Sequence, residues 1–277
     1  MRGNEVACAS SLPARFELQE AEVWARCVEL TAAVPGNPLG AVVGHEGSVP
    51  LAALTAAASG ALNRVIALGV PSPSSKAAVD RVVEFFERVE QDCFQVELAP
   101  IAAPPALGDW LQGAGLLISP ETVTKVWRDL EGFDLTVDDV DVRKLTARDA
   151  DQVAGLNVRA WGAWQQPSLH SWFAATVGQD GFHHCGAFVD DRLVSCGALV
   201  IDNDLAWIGF DATHPRHKLL GLRRSLTVRR LADARAAGCR YAHAETRQGF
   251  AKSRESLFDT LYERRLFTHS SHDDTTR

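Results

Sequence analysis

The most regular stretch of the chain runs from Phe182 to His214, FHHCGAFVDDRLVSCGALVIDNDLAWIGFDATH, where three apolar or alternating runs are joined by Asp-Asp and Asp-Asn-Asp. A period of two broken by short polar turns predicts an antiparallel meander. The period then changes. Leu219, Leu222 and Leu226 stand three and four residues apart, residues 219–237 hold a single glycine and no proline, and Gly238 follows them. That pattern predicts a helix with Gly238 as its C′ residue. CRYAHAET (239–246) reads as a further strand, and SRESLFDTLYERR (253–265) as a last helix opened by a Ser or Glu. Ahead of the meander, DVRKL (141–145) reads as a short strand. TARDADQVAGLNVRAWG (146–162) reads as a helix capped by Thr146 with Asp149 three residues on, and PSLHSWFAATVG (167–178) as a second helix.

The first half carries the end of this pattern again. NRVIALGVPSPSS (63–75) is a strand running into a Pro-marked turn, as AWIGFDATHPRH is, and KAAVDRVVEFFERV (76–89) is helical. DCFQVELAP matches GCRYAHAET in place and length, with Pro71 and Cys93 separated by 22 residues and Pro215 and Cys239 by 24. ALGDWLQGAGLL stands where SLFDTLYERRLF stands. We read this as an internal duplication of a strand–helix–strand–helix unit; two unrelated α/β stretches of similar length are the alternative. The acid-rich DLEGFDLTVDDVDVRKL (129–145) separates the halves, so the expected domains are 1–136 and 137–277.

Composition narrows the function classes. At 277 residues, 46% hydrophobic and 23% charged, the chain suits soluble globular domains, and its net charge of −7 disfavours nucleic acid as a partner. The Ala-rich run Ser48 to Leu62 is broken by a proline and a glycine and is too short to span a membrane, and the N-terminus lacks the apolar core of a signal peptide. A cytoplasmic location without membrane association is expected. Six scattered cysteines form no C-x-x-C pair, and His183 and His184 point to opposite faces if they lie on a strand, so no metal site is expected.

A strand that ends in a Pro turn and feeds a helix presents unpaired N–H groups and a positive dipole end, which suits a phosphate. At the turn after the meander Lys218, Arg223 and Arg224 add charge, whereas the equivalent turn in the first half has Ser72, Ser74, Ser75 and Lys76 and no glycine. The element order, ending in LYERRLF, resembles the GNAT superfamily of acyl-CoA-dependent N-acetyltransferases, and more narrowly its tandem members with a degenerate N-terminal repeat. FDATHPRHKLLG (210–221) and ADARAAGCRYAHAET (232–246) carry the likeness. The family's pyrophosphate turn, R/Q-x-x-G-x-G/A, falls on Lys218, Leu219, Leu220, Gly221, Leu222 and Arg223; only Gly221 matches strictly.

The resemblance implies an α/β (α+β) fold of two tandem GNAT-like domains, each a mixed, mostly antiparallel sheet flanked by helices. It implies an acetyl-CoA-dependent, or other acyl-CoA-dependent, N-acetyltransferase acting on a small amine in a ternary complex, with a homodimer as an open assembly state. A GNAT-fold protein that binds CoA or a partner without catalysis, and one using other acyl chemistry, are the alternatives. In the implied site Lys218 to Arg224 hold the pyrophosphate, and Phe210, Asp211, Ala212 and Thr213 form a splayed strand that grips the pantetheine, Asp211 nearest the thioester. Tyr262 protonates the leaving thiolate. Trp207 stands where the family often has a glutamate, so Asp211, His184, His183 and Asp204 are the candidates for relaying a proton, Asp204 reading more strongly as a solvated turn residue. Trp161, Trp164 and Gln165 (with Gln166), together with His183, line the acceptor pocket. Tyr262 equally suits the edge of a core and the tryptophans a core interior.

Overall fold

A computed structural model of the chain describes residues 11–135, 140–162, 166, 168–218, 220–247 and 257–269. In order the elements are helix α1 (Leu12–Ala32), strands β1 (Ala41–Glu46), β2 (Val49–Leu54) and β3 (Arg64–Ile66), helix α2 (Lys76–Arg88), strand β4 (Phe94–Leu98), helix α3 (Leu107–Gly113) and strand β5 (Leu117–Asp129). They continue with β6 (Val142–Lys144), helices α4 (Ala150–Ala160) and α5 (Leu169–Ala175), then β7 (Phe182–Val189), β8 (Arg192–Asp202), β9 (Leu205–Thr213), α6 (Leu222–Ala236), β10 (Tyr241–Arg247) and β11 (Asp259–His269). No helix among the described residues is long and apolar enough to cross a membrane. The chain divides into two compact units, Met1–Thr124 with Tyr262–Arg277, and Lys125–Leu261. The expected single division at 136/137 differs from this: the first boundary falls within β5, after Thr124, and from Tyr262 onward the last strand belongs to the first unit.

In unit 1, β1, β2 and β3 pair antiparallel in turn, and β3 lies parallel to β4 over Arg64↔Gln95, Val65↔Val96 and Ile66↔Glu97. β11 adds to the far side of β4, from Arg265↔Leu98 to His269↔Phe94. Helix α2 starts where Ser75 Oγ accepts from the Ala78 amide at 3.1 Å. Its Val79, Val82, Phe85 and Phe86, three and four apart, bury against Val65, Phe94 and Val96, with the Phe86 and Phe94 rings stacked at 4.1 Å.

β11 corrects the expected last helix. LYERRLF is rich in helix formers, yet read with period two it sets Arg264 and Leu266 to one side and Arg265 and Phe267 to the other. Phe267 enters the apolar cluster with Phe94. Arg264 is fully buried among Glu17, Glu20 and Glu97, with N–H···O distances of 2.8 Å to each. Partners on α1 and β4, remote in sequence, override local helix propensity here. The part of the expected helix at 253–256 lies outside the described residues. Glu17, Glu20 and Trp24 share one face of α1 through their three- and four-residue spacing. Arg64 continues the network, bonding Glu97 at 2.8 Å with its guanidinium 3.6 Å from the Trp24 ring centroid.

In unit 2 the strand order is the end of β5, then β10, β9, β8, β7 and β6. The meander β7–β8–β9 is as expected, its turns made by Asp190, Asp191 and Asn203 at φ of 49°, 57° and 52°. The capping box at Thr146 and Asp149 is present, the Asp149 carboxylate accepting from the Thr146 amide at 2.7 Å. Val228, Leu231 and Ala234 of α6 pack on Leu199, Ile208, Ala242 and Ala244. The helix begins at Leu222, three residues later than expected, and ends at Gly238 (φ 93°), whose amide donates to Arg235 O.

Removing Arg264 leaves three glutamates buried without their shared cation. Arg264→Leu is expected to lower unfolding free energy by about 3–5 kcal/mol in urea titrations. Tyr262→Phe, which loses one hydrogen bond, is expected to lower it by about 1 kcal/mol. Equal, small losses would count against the network as the centre of unit 1.

Candidate functional site

The site grows from one irregularity in β9. Cys196 pairs with Ala212 and Ala198 with Gly209, so Phe210 and Asp211 together face Gly197 alone. This is a β-bulge, and Phe210 takes φ 55° in it, a left-handed conformation that a bulky residue holds only under constraint. The constraints are visible on both faces. The Phe210 ring stands edge-on to Trp207 at 5.5 Å and to Trp172 at 6.2 Å. Below it, Arg230 of α6 reaches into the bulge: Nη1 donates to Ala198 O at 3.0 Å and to Gly209 O at 3.2 Å, and Nη2 to Asp211 Oδ1 at 2.5 Å. Gly197 is required, since a Cβ there would stand 2.4 Å from Arg230 Nη1.

Just before the bulge β9 also parts from its other neighbour. β10 runs parallel to β9 over Tyr241↔Leu205, Ala242↔Ala206 and His243↔Trp207, and the ladder ends there although both strands continue. Beyond Thr213 comes the Pro215–His217 turn, and then Gly221 at φ 70° as the N-cap of the fifteen-residue α6. As a glycine the N-cap residue has no side chain to cap this terminus, its first turn holds no acid, and Arg224 is exposed there. Open amides, a positive helix end and a cation make a ready anion site. Among the described residues nothing lies within 4 Å of where a Gly221 Cβ would be, so the glycine answers to backbone conformation.

Unit 1 repeats the start of this arrangement and ends it differently. Its parallel ladder also covers three pairs, but past it Gly69 O accepts from the Ala103 amide and Ala103 O from the Ser74 amide, each at 2.8 Å. A Cβ on Gly69 would stand 2.6 Å from Ala103 O. The chain leaving β4 thus occupies the space beside the end of β3.

Of the residues expected in the site, Phe210 to Thr213, Lys218, Leu220, Gly221, Leu222, Arg223 and Arg224 lie along the bulge and the turn, with Lys218 and Leu220 exposed and Leu222 buried. Leu219, Trp164 and Gln165 lie outside the described residues. Trp161 is half exposed, and its Nε1 donates to Asp211 O at 3.5 Å. Asp211 is committed to ion pairs, at 2.5 Å with Arg230 and 3.6 Å with Arg223. That corrects its expected role as a proton relay, because a carboxylate held between two guanidinium groups is a poor proton acceptor. Tyr262 is also corrected: it sits on β11 in unit 1, and its hydroxyl donates to Glu17 Oε1 at 2.6 Å. Burial and the Glu17 charge push its pKa above the ordinary tyrosine range.

The two histidines separate as strand alternation requires. His183 is exposed and pairs with Leu199 on the α6 face, lining a pocket of about 310 Å3 with Lys144 and Arg229. His184 is buried on the opposite face, with Nε2 3.1 Å from Thr176 Oγ1 and Nδ1 without a hydrogen-bond partner among the described residues. The gap it shares with Asn157, Trp172 and Phe210 has no room for a water molecule. Two residues escaped the sequence reading. Arg230 is one; Glu245 on β10 is the other, half-buried, two residues past His243 and so on the Trp207 face where the ladder has ended.

Burial, followed by the charge of Arg230, lowers the His184 pKa from 6.5 to about 4. Above pH 6.5 the ring is neutral in both folded and unfolded chains, so it adds no pH dependence. As pH falls from 6.5 to about 4 only the unfolded chain takes up this proton, and folding stability drops by about 1.4 kcal/mol per pH unit. Urea titrations of wild type and His184→Gln are expected to converge across that window by about 3 kcal/mol. A pH-independent difference would mean that the ring titrates normally.

No protein-family model matches the sequence. No curated protein matches it either. Solved structures do match. A GCN5-related N-acetyltransferase from Kribbella flavida aligns with TM-score 0.63 and 14% identity over 92% of this chain and 96% of its own. A tandem GNAT protein from the clavulanic acid biosynthesis pathway aligns with TM-score 0.60 and 16% identity over the same shares, 92% and 96%. A GNAT-family protein from Novosphingobium aromaticivorans, described as a putative acetyltransferase, gives TM-score 0.53 and 16% identity over 88% and 96%. With a mostly antiparallel mixed sheet, flanking helices and a repeated strand–helix–strand order, the chain has the GNAT fold in its tandem form.

Proposed function

We propose that unit 2 is an acetyl-CoA-dependent N-acetyltransferase that acts on a small amine in a ternary complex. One observation carries this reading: the bulge at Phe210–Asp211, the end of the β9–β10 ladder and the Gly221 N-cap of α6 all fall along a single strand and the turn that follows it. When bound, acetyl-CoA supplies an acetyl group activated as a thioester. The protein fits it on two counts: the turn at Gly221 is positive, and past Trp207 the β9–β10 ladder has ended, so that an extended arm can lie along that edge of β9.

In this reading the α6 amides with Lys218 and Arg224 hold the pyrophosphate, and Phe210 to Thr213 orient the donor along β9. The Trp207 and Phe210 rings exclude water, and Trp161 meets the acceptor amine. An ammonium must lose a proton before it can attack, and Glu245 is the carboxylate on that face that takes it. His184 stays neutral and fixed to Thr176. Tyr262, bonded to Glu17, has no part.

A second reading, a CoA-binding protein without catalysis, is favoured by the single glycine in residues 218–223. Calorimetry with acetyl-CoA is expected to show binding, and Gly221→Val to weaken it about tenfold or more, because a side chain in a left-handed conformation costs about 1–2 kcal/mol. No heat from wild type at millimolar cofactor would end both readings. In thiol-release assays over a panel of small amines, Glu245→Gln is expected to lower kcat by about 10²–10⁴ while leaving cofactor affinity unchanged. Full kcat in that variant would move the base elsewhere, and binding without turnover on any amine would favour the second reading.

A further inference from the structure

Helix α6 carries five arginines, and four of them reach solvent or the helix surface. Arg230 does not. It is 1% exposed, and each of its five N–H groups has an acceptor within reach: Nε to Leu226 O at 3.3 Å, Nη1 to Ala198 O and Gly209 O, and Nη2 to Asp211 Oδ1 and, at 3.3 Å, to Thr227 Oγ1. Two of those acceptors belong to α6 itself. The other three, the Ala198 and Gly209 carbonyls and the Asp211 carboxylate, surround the bulge on both strands.

A guanidinium is planar and its donors diverge at fixed angles, so it can satisfy all three bulge acceptors only when they take one arrangement. Ala198 and Gly209 are the pair on one side of the bulge, and Asp211 lies past the strained Phe210. Arg230 therefore spans the extra residue from end to end. Gly197 opposite leaves the space for it, and the Leu226 O bond ties the group to the helix whose N-terminus forms the anion turn.

We propose that Arg230 is the positioning residue of the acyl-donor site: its guanidinium holds Phe210 and Asp211 in the bulged conformation and fixes that backbone relative to α6. This rests on the acetyltransferase reading of unit 2. Lysine in its place keeps a charge for Asp211 but, as a compact point charge, cannot reach the same three acceptors at once.

The test uses the full chain as wild type, Arg230→Lys and Gly197→Ala, the last of which displaces the guanidinium without removing it. Amide hydrogen exchange of the free proteins is read first. Residues 209–212 are expected to exchange about tenfold faster or more in both variants, the worth of one charged hydrogen bond, with unit 1 unchanged. Acetyl transfer is read second: kcat is expected to fall about tenfold or more in both variants, with KM for acetyl-CoA within about threefold of wild type. Wild-type exchange at 209–212 in both variants overturns the proposal whatever the activity. Faster exchange with unchanged kcat overturns the positioning role. A wild type that does not bind acetyl-CoA defeats the acetyltransferase reading and with it the donor-site role, while exchange still decides whether Arg230 holds the bulge.

Discussion

Taking a guanidinium out of water is tolerated where carbonyls and carboxylates meet its N–H groups in the right plane, and each unit of this chain meets that demand between a helix and a sheet. In unit 1 Arg264 binds Glu17 and Glu20 of α1 and Glu97 of β4. In unit 2 Arg230 binds the bulge and its own helix. Apolar packing alone would accept many small shifts of a helix over a strand. A buried cation accepts few, because any shift strands a charge. The consequence differs between the units. Arg264 fixes which chain segment completes the sheet, drawing the C-terminal strand to the first unit. Arg230 fixes a local distortion of a strand.

That distortion divides the two repeats by chemistry while their topology agrees. Both have a parallel ladder of three pairs, and both place a non-glycine residue at positive φ beyond it, Ala67 at 67° and Phe210 at 55°. Past Ala67 the backbone finds partners at once in Ala103. Past Phe210 the strand is held from the side by Arg230, Trp207 and Trp172 and is left with its ladder to β10 ended. Strain in a β-strand is stable only when its surroundings over-determine it, and here three side chains from separate elements do so.

Much of this was legible in the sequence where local rules act alone. The meander announced itself through Asp190-Asp191 and Asp202-Asn203-Asp204, the α4 start through Thr146 and Asp149, and the duplication through matched spacings. The site was legible as a stretch, 210–224, because a strand, a Pro turn and a basic helix start are contiguous. The last strand was not. Leu261, Glu263 and Arg264 favour a helix by themselves, and the glutamates that overrule them stand 247 and 244 residues away on α1 and 167 residues away on β4. Nor was the bulge, since Phe210 is an unlikely residue at positive φ and the signal lay in Gly197 and Gly209 around it. Arg230 could have been found: it falls four residues after Leu226 and eight after Leu222, on the buried stripe of its helix. Glu245 could not, for only the early end of the β9–β10 ladder gives that position meaning.

The glycine-poor turn is explained by the same geometry. A phosphate cradle needs glycine where the chain turns left-handed or where backbone and ligand touch. Among the described residues from His214 to Leu222, positive φ occurs at Gly221 alone, and Lys218 is right-handed at φ −58°. Leucine at 220 is exposed, so its side chain points away from the protein rather than into a packed cradle. Nor does the acidic chain count against an anion here. Screening limits a surface charge to about 8–10 Å, and the first turn of α6 carries Arg223, paired with Asp211, and the exposed Arg224, with no acid of its own. In the proposed function, one glycine at the left-handed position among the described residues and the exposed Arg224 at the helix end are what the turn offers a phosphate.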